Sequence, residues 1–463
     1  MARTLPGTVE SSISQTSAPR TAVSMSPEDL LTRQLERSSF GATDQLRSQV
    51  VAAGGFEAWL DQQLELSPDY KAKYPLGLLG EVEDRLAPLK ELKFESKQER
   101  ASATKTSIET ITGRTIYGAA FAEDQLRQRT MTVLGDLLHV TSSSQPELFG
   151  ICDFDATIRA RAFGRFSDLL LATAQHPAML VYLDQASSRA DSGRVPNENY
   201  AREVMELHTV GVDGGYDETD VAELAHVLSG WSLDTRSRAF AFRPQWHDLG
   251  PFGSKGDILG WRPGPDQVGE AAGVAALEHL AHHEATAKRI AHIFARHFVS
   301  ESLTPKDELV IEAAEIYKQN DTAIGPVVKH LLTSEQFASK ATLMVRRPID
   351  LVAHSLRVSN ARVVDGGLSD SLGSLVGLMY VLGQVPYGWP APNGFPHSSA
   401  AWSNAGAMIG RWNAIITLAG SASGAAKATV SNRLGLELDP SALGLSTASE
   451  LATALCGAEH QLV

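Results

Sequence analysis

Residues 197–231 read NENYAREVMELHTVGVDGGYDETDVAELAHVLSGW, and this stretch decides the fold class. Its first half spaces apolar residues three and four apart, which predicts a helix over about residues 200–210. A glycine pair then predicts a sharp turn, and Asp217 with Asp220 fits a capping box for a second helix over 218–228. Two capped helices joined by a glycine turn are typical of a helical protein.

The same apolar spacing recurs along most of the chain. Ser26 followed by a proline predicts the start of the first helix, and Thr43 precedes a second one. Further helices are predicted at Phe56–Leu64, Phe163–Ala174, Glu284–Val299, Thr322–Leu332, Pro348–Val358, Leu372–Leu382 and Ala405–Ala419. The predicted fold is therefore all-α, a large multi-helix globular body.

One region interrupts the helices. Ala239–Phe242 is the best candidate for a strand, and a run from Arg243 to Pro265 rich in Gly, Pro and Trp follows it. We therefore expect a long irregular loop or a small β excursion around residues 235–265. A long loop inside a compact helical body is often functional.

Length and composition set the domain organisation. Residues 1–25 are rich in Ser, Thr, Ala and Pro, which predicts a disordered N-terminal segment. The remaining residues, 26–463, are expected to form a single domain, either as one helical body or as two packed helical lobes.

Charge and apolar content exclude several classes of function. Forty-one basic residues against fifty-four acidic ones give a net charge of −13, which argues against nucleic acid as the main partner. No apolar run of about 18 residues occurs, so no membrane span is expected. No signal peptide is recognisable, which predicts a cytoplasmic protein.

Cys152 and Cys456 have no metal-binding spacing and are expected to be buried free thiols rather than a long-range disulfide.

The helix over 200–210 carries the densest polar pattern. Asn197 or Asn199 is suited to cap it, and Arg202 stands four residues from both Glu198 and Glu206. One interpretation is a solvated face with ordinary i,i+4 ion pairs.

The other interpretation is a buried carboxylate cluster organised by Arg202. In it, Glu203, Glu206 and His208 bind a cation or act as acid and base. The spacing matches neither the di-iron nor the zinc-protease pattern.

Polar residues in the irregular loop are further candidates. His247 and Asp248 lie where a polar pair is hard to explain by packing, although a turn in which Asp248 caps a backbone group is the alternative. Lys255 lies between glycines, but the phosphate-loop pattern is absent, so no nucleotide is expected. Two pairs with helical spacing, His279 with His283 and Glu278 with His282, match no specific metal motif and are more typical of surface residues.

Several groups of residues along the chain together form a recognisable pattern, whose central elements are Asn197-Glu198-Asn199-Tyr200-Ala201-Arg202-Glu203, Glu206-Leu207-His208-Thr209, Gly211, Asp220-Val221 and Ser229-Gly230-Trp231. In these elements, the chain resembles the bacterial domain-of-unknown-function 1800 family, and the resemblance covers nearly all of the chain after residue 26. Flanking elements are Phe40-Gly41, Trp59-Leu60, Leu169 to Ala174, Pro177 to Leu180, His247-Asp248, Lys255 to Gly260, Thr286-Ala287, Phe298-Val299, Gly383-Gln384, Trp402 and Arg411.

The resemblance implies an α-helical protein, often exported, with a sulfatase-like partner of the domain-of-unknown-function 1501 family. It implies no established activity. Two elements depart from the family pattern. Where relatives have Phe-Trp-x-x-His-Phe, this chain lacks the Trp and His139 stands one place late. Where relatives have Gly-Trp-Pro, it offers either Gly394-Phe395-Pro396 or Gly388-Trp389-Pro390.

Two functions of different class follow. The first is an enzyme, hydrolytic or metal-assisted, acting on envelope or sugar-containing substrates, with a divalent metal as the conceivable cofactor. Its catalytic residues are Glu203, Glu206, His208, His247 and Asp248, and its substrate-binding residues are Asn197, Asn199, Arg202, Lys255 and Trp231. The second is a non-catalytic structural or binding protein, acting with the sulfatase-like partner, in which the polar motif is a buried stabilising network. Polar groups that converge on an open cleft favour the enzyme, and a sealed, fully paired network favours the structural or binding protein.

Overall fold

Helices dominate the protein, and the prediction of an all-α fold is confirmed. A computed structural model describes residues 25–66, 96–141, 150–234, 236–247, 257–363, 368–420 and 436–463. The predicted disordered segment 1–25 lies outside these residues except for Met25.

The helices, in chain order, are α1 (Pro27–Ser38), α2 (Asp44–Ala53), α3 (Phe56–Glu65), α4 (Lys97–Phe121), α5 (Gln125–Leu137), α6 (Ile151–Arg161), α7 (Phe166–Ala174), α8 (Pro177–Tyr182), α9 (Asn199–Glu203), α10 (Glu218–Leu228), α11 (Glu270–His282), α12 (Glu284–Phe298), α13 (Glu308–Gln319), α14 (Ile324–Thr333), α15 (Phe337–Lys340), α16 (Pro348–Val358), α17 (Leu368–Val381), α18 (Ser399–Trp402), α19 (Ala405–Ala419), α20 (Ala448–Cys456) and α21 (Ala458–Gln461).

Side-chain caps account for several of the predicted helix starts. The Ser26 side chain accepts a hydrogen bond from a backbone N–H of α1, and the Thr43 side chain does the same for α2. Asp217 and Asp220 form the predicted capping box of α10. Each cap satisfies backbone donors that the first helical turn leaves unpaired, and each is worth about 1 kcal/mol.

The predicted β excursion is a two-stranded antiparallel hairpin. β1 (Trp231–Leu233) pairs with β2 (Phe240–Phe242), and Trp231 faces Phe242 in the register. Gly230 makes the turn from α10 into β1 with a φ of 82°, and a Cβ there would lie 2.7 Å from the Arg243 carbonyl oxygen. Two further strands, β3 (Arg362–Val363) and β4 (Leu436–Glu437), form a second small antiparallel pair.

The buried apolar side chains form two clusters. The first collects residues of α1 to α3 and of most helices from α5 to α14, with Trp59, Phe154 and Phe294 among them. The second is built on α4, α16, α17, α19 and α20. Burial of these side chains supplies most of the stabilisation, at roughly 25 cal/mol per Å² of apolar surface.

Four fully buried arginines lie where helices of the two clusters meet. We call this set the arginine cluster, and its members are Arg37, Arg129, Arg346 and Arg411. Arg129 pairs with Asp350 at 2.9 Å, and Arg346 pairs with Glu36 at 2.6 Å. These pairs join α5 to α16 and the start of α16 to α1. Buried guanidinium groups tolerate loss of water only when such partners remain in place.

Two further predictions concern the cysteines and the membrane-spanning capacity of the helices. Both cysteines are free, as predicted, but only Cys152 is buried, because Cys456 lies half-exposed at the end of α20. Within the described residues, no helix has the length and apolar composition needed to cross a membrane.

Candidate functional site

The helix of the central motif changes its geometry half-way. α9 ends at Glu203, and a π-helical turn over Val204–His208 replaces the continuous α-helix predicted to reach residue 210. The Thr209 N–H donates to the Val204 carbonyl oxygen at 2.9 Å, which closes the wider ring. Single π-turns of this kind are rare and frequently lie at functional sites.

Arg202 does not organise the motif in the way that its spacing predicts. Its guanidinium group donates two hydrogen bonds to Glu218 of α10, at 2.8 and 2.7 Å, and one to Glu198 at 3.2 Å. The predicted pair with Glu198 is confirmed, whereas the predicted meeting with Glu206 is wrong. The π-turn widens the helix between residues 202 and 206, so the i,i+4 alignment of a regular α-helix is lost.

Glu203 and Glu206 form a pair of half-buried carboxylates. In the part of the chain that the structure describes, neither side chain makes an ion pair or a hydrogen bond. Burial, and then the charge of Glu206, raise the pKa of Glu203 above its ordinary value, against a smaller opposing effect of Arg202. Glu203 therefore holds its proton more tightly than an exposed glutamate does.

Two tyrosines lie close enough to this pair to respond to its charge. Burial, and then the charge of Glu203, raise the pKa of Tyr182 to about 12. Burial, and then the charge of Glu206, raise the pKa of Tyr216. Both phenols therefore stay protonated at neutral pH and keep a proton to donate. The Tyr182 hydroxyl donates to the Pro390 carbonyl oxygen at 3.3 Å.

His208 lies buried in a different environment from the glutamates. Burial, and then the charges of Arg289 and His139, lower the pKa of His208 to about 3. Its Nε2 is buried and has no hydrogen-bond partner among the described residues. Arg289 also donates to the Leu207 carbonyl oxygen at 2.7 Å, and so it holds the π-turn in place. His208 is a neutral imidazole at pH 7.

Within the described ranges, no hydrogen bond or ion pair joins the remaining predicted residues to the side chains of Glu203 and Glu206. His247 lies beside the hairpin, with Nδ1 3.0 Å from the Ser229 carbonyl oxygen. Trp231 is fully buried and packs on Phe240, with ring centroids 5.3 Å apart. Roles for these two in catalysis or binding stay predictions.

The prediction that Asn197 or Asn199 caps the helix is wrong, because the N-cap residue of α9 is Glu198 and it makes no side-chain cap. Asn197 lies just before the helix, where its Oδ1 accepts a hydrogen bond from the Asn199 N–H at 2.9 Å. Asp248 and Lys255 lie outside the described residues.

The carboxylate and imidazole groups do not gather into a metal centre anywhere in the described ranges. No group of three or more His, Cys, Asp or Glu side chains there is close enough to hold a metal ion. His279 packs against Trp261 and His283, and His282 is engaged with Asp321 at 2.8 Å. These histidines make structural contacts.

The comparison with family models decides the membership of the chain. The model described as "Protein of unknown function (DUF1800)" matches residues 33–461. The chain belongs to the DUF1800 family. Searches of curated proteins and of solved structures each found no match. The resemblance inferred from the sequence is thereby confirmed, and an activity does not follow from it.

In this DUF1800 protein, His139, which stands one place late in the family pattern, is packed against the loop that carries Trp389 and Phe395. His139 follows α5, and its Nε2 lies 2.8 Å from the Trp389 carbonyl oxygen. Its ring stacks on Tyr387 and meets the edge of Phe395, with centroids 6.1 and 6.4 Å apart. His139 is also one of the groups that affect the pKa of His208.

Both candidates for the Gly-Trp-Pro element of the DUF1800 family lie in the same loop. The rings of Trp389 and Phe395 contact each other at 5.3 Å. We call this pair of rings the aromatic plug. It is present whether Gly388-Trp389-Pro390 or Gly394-Phe395-Pro396 corresponds to the family element.

Tyr387 and Phe395 also line a pocket that no feature of the sequence predicts. We call it the Gln384 pocket; its cavity volume is about 50 Å³, and it is partly open to solvent. Its lining residues are Phe40, Thr115, Ala119, Gln128, Met131, Thr132, Gly135, Asp136, Asp155, Arg159, Arg347, Ile349, Gln384, Pro386, Tyr387 and Phe395. Arg347 pairs with Asp136 at 2.6 Å across 211 positions of sequence. No local spacing signals a partnership over that separation.

The carboxylate pair leads to a stability prediction with a definite sign. Glu203→Gln should raise the melting temperature at pH 7, by about 1 °C. Because the folded pKa of Glu203 lies above the ordinary value of 4.5, the folded state binds the proton more tightly than the unfolded state, and the ionised carboxyl destabilises the fold above the raised pKa. The gain should shrink as the pH falls below the ordinary value, where both states are protonated.

Thermal unfolding of both proteins from pH 4 to 8 measures this effect. Glu218→Gln is the matched control of opposite sign, because its bond to Arg202 lowers the pKa of Glu218. That variant should lose stability at pH 7. A lower melting temperature for Glu203→Gln at pH 7 would contradict the prediction and would mean that the ionised Glu203 stabilises the fold.

Proposed function

We propose that this DUF1800 protein is an enzyme in which Glu203 and Glu206 act as an acid–base pair. One observation carries the proposal: two half-buried carboxylates share a helical turn without an ion pair in the described structure, while the adjacent Arg202 is bound to Glu218 and Glu198. Like charges at this spacing destabilise a helix, so the arrangement has a cost that a purely structural role does not recover.

The chemistry of such a pair suits hydrolysis. Glu203, with the raised pKa, donates its proton to the leaving oxygen as the bond to carbon breaks. Glu206, as the general base, accepts a proton from the attacking water, whose oxygen forms the new bond to carbon. Pairs of carboxyl groups in which one donates and the other accepts a proton are typical of enzymes that cleave glycosidic bonds. We therefore propose a sugar-containing substrate, such as a polymer of the cell envelope.

Activity assays on this substrate class test the proposal. Purified protein is incubated with peptidoglycan sacculi and with a panel of soluble polysaccharides, and released fragments are measured by mass spectrometry. Glu203→Gln should lower the rate of release by about 100-fold or more, because loss of a general acid costs that much. Glu206→Gln should act similarly.

The matched control is Glu218→Gln, which removes a carboxylate from the same surface but leaves the pair intact. It should keep the activity within about threefold, since exposed ion pairs contribute little. Absence of product with the wild type on the whole panel, or full activity in Glu203→Gln, would overturn the proposal.

The alternative is a non-catalytic binding protein, and a separate observation favours it. Arg202 clamps α9 to α10, and Arg289 holds the π-turn, so charged groups of the motif serve to fix its backbone. The partner implied by the resemblance is the sulfatase-like protein of the domain-of-unknown-function 1501 family. Under this alternative, Glu203→Gln lowers stability at pH 7, and the two proteins copurify.

A further inference from the structure

The Gln384 pocket has a polar end whose hydrogen-bonding needs are not met. Gln384 is fully buried, and its Oε1 accepts the Ile349 N–H at 3.0 Å. This bond fixes the amide orientation, so Nε2 is the remaining donor. Nε2 has no partner within the described structure. A buried donor left without an acceptor costs about 1–3 kcal/mol, so the pocket retains a strong preference for an acceptor.

A second unpaired donor lies in the same wall. Arg347 is 6% exposed, and its Nη2 donates to Asp136 while its Nε has no partner. Apart from these two nitrogens, no buried side-chain nitrogen or oxygen of the lining residues lacks a partner within the described ranges. The unmet groups at this end are thus donors, and one of them belongs to a cation. Donors of this kind select an anionic oxygen.

Most of the remaining exposed surface of the pocket is apolar, although the Asp136 and Asp155 carboxylates also line it, each paired with an arginine. Phe40, Met131, Ile349 and Phe395 supply aromatic and aliphatic surface, and Gly135 leaves space beside the Tyr387 ring. A pocket that is apolar with a few placed polar groups is typical of sites for small molecules. The apolar walls are suited to a hydrocarbon chain, and they do not suit a phosphate, whose oxygens need donors on several sides.

From these two features, we propose that the Gln384 pocket binds a short linear monocarboxylate, with its carboxylate at Gln384 and Arg347 and its chain along the apolar wall. The site is separate from the proposed acid–base pair, and it holds whether or not the protein is an enzyme.

Calorimetric titration with a series of linear carboxylates tests the proposal. The probes run from acetate to hexanoate, and hexan-1-ol serves as the neutral analogue. Affinity should rise along the series as more apolar surface is buried, and hexan-1-ol should bind at least about tenfold more weakly than hexanoate. Equal binding of the alcohol, or no binding of hexanoate at millimolar concentration, would overturn the proposal.

Gln384→Glu tests the polar end of the pocket. The substitution keeps the size and the oxygen that accepts the Ile349 N–H, but it replaces the donor by a negative charge. Hexanoate affinity should fall at least about tenfold. Circular dichroism and the melting temperature verify folding. A folded variant that keeps wild-type affinity would refute the proposed role of Gln384.

Gly135→Ala tests the apolar end and does not threaten folding. A Cβ at Gly135 would lie 3.4 Å from the Tyr387 hydroxyl, an ordinary contact, and alanine favours the helix. The added methyl group narrows the pocket, so hexanoate affinity should fall about fivefold or more while acetate affinity stays unchanged. An equal effect on both probes would show that the chain does not lie along this wall.

Discussion

Asp350→Ala should lower the free energy of unfolding by about 3–5 kcal/mol, among the largest effects expected of a single substitution in this protein. The Asp350 carboxylate is 3% exposed and pairs with Arg129 at 2.9 Å. Arg129 is affected in turn by the charges of Arg346 and Arg347, and burial is the main cause that lowers its pKa. Removal of Asp350 would leave the positive charges of the buried guanidinium groups without the negative charge that offsets their mutual repulsion and their loss of water.

Urea unfolding, followed by circular dichroism and by tryptophan fluorescence, measures the loss. Asp350→Asn separates charge from shape and should lose nearly as much as the alanine variant. Asp168→Ala is the exposed control, because the Asp168 carboxylate is 57% exposed in its pair with Arg165. It should cost less than about 1 kcal/mol. A cost of that small size for Asp350→Ala would show that the arginine cluster does not depend on this carboxylate.

The helices of this fold were largely predictable because their signals are local. Pro348–Val358 and Ala405–Ala419 begin and end where the apolar spacing predicts. The residues of the capping box, Asp217 and Asp220, lie within four positions of the sequence, and the box forms as predicted. Apolar periodicity and caps act over one or two turns, so a single sequence contains the information that they need.

The candidate site was less predictable because its geometry depends on tertiary contacts. The π-turn after Glu203 replaces a regular helix, and nothing in the residue types signals the wider turn. Arg289, which holds the turn, stands 82 positions from Leu207, the residue that accepts its hydrogen bond. The pairing of Arg202 with Glu218 depends on how two helices pack. The sequence therefore identifies candidate residues, but it does not show which of them meet.

The arginine cluster is the clearest case of information that the sequence does not carry. Arg346 and Glu36 are separated by 310 positions, and each reads locally as an ordinary surface residue. A net charge of −13 gives no hint that several arginines are fully buried. Long-range partners decide whether a charge lies inside or outside, and composition does not record them.

Gly394→Ala should lower the free energy of unfolding by about 2–5 kcal/mol. Gly394 has a φ of 66°, and a Cβ there would lie 2.4 Å from the Asp136 carbonyl oxygen and 2.7 Å from its Cα. Backbone atoms of α5 cannot yield as a flexible side chain would. The loop would be pushed away, which breaks the hydrogen bond from the Phe395 N–H to Asp136 Oδ1 at 3.1 Å.

Gly383→Ala is a matched control in the preceding turn. Gly383 also has a positive φ, of 78°, but a Cβ there would meet no atom within 4 Å. The control should therefore cost only the left-handed backbone penalty of about 1–2 kcal/mol, and the difference between the two variants measures the contact with α5. A larger loss at Gly394 would explain physically why a glycine precedes the aromatic plug at Phe395. Equal losses would contradict the close approach to Asp136 and would favour Gly388-Trp389-Pro390 as the triplet that corresponds to the family element.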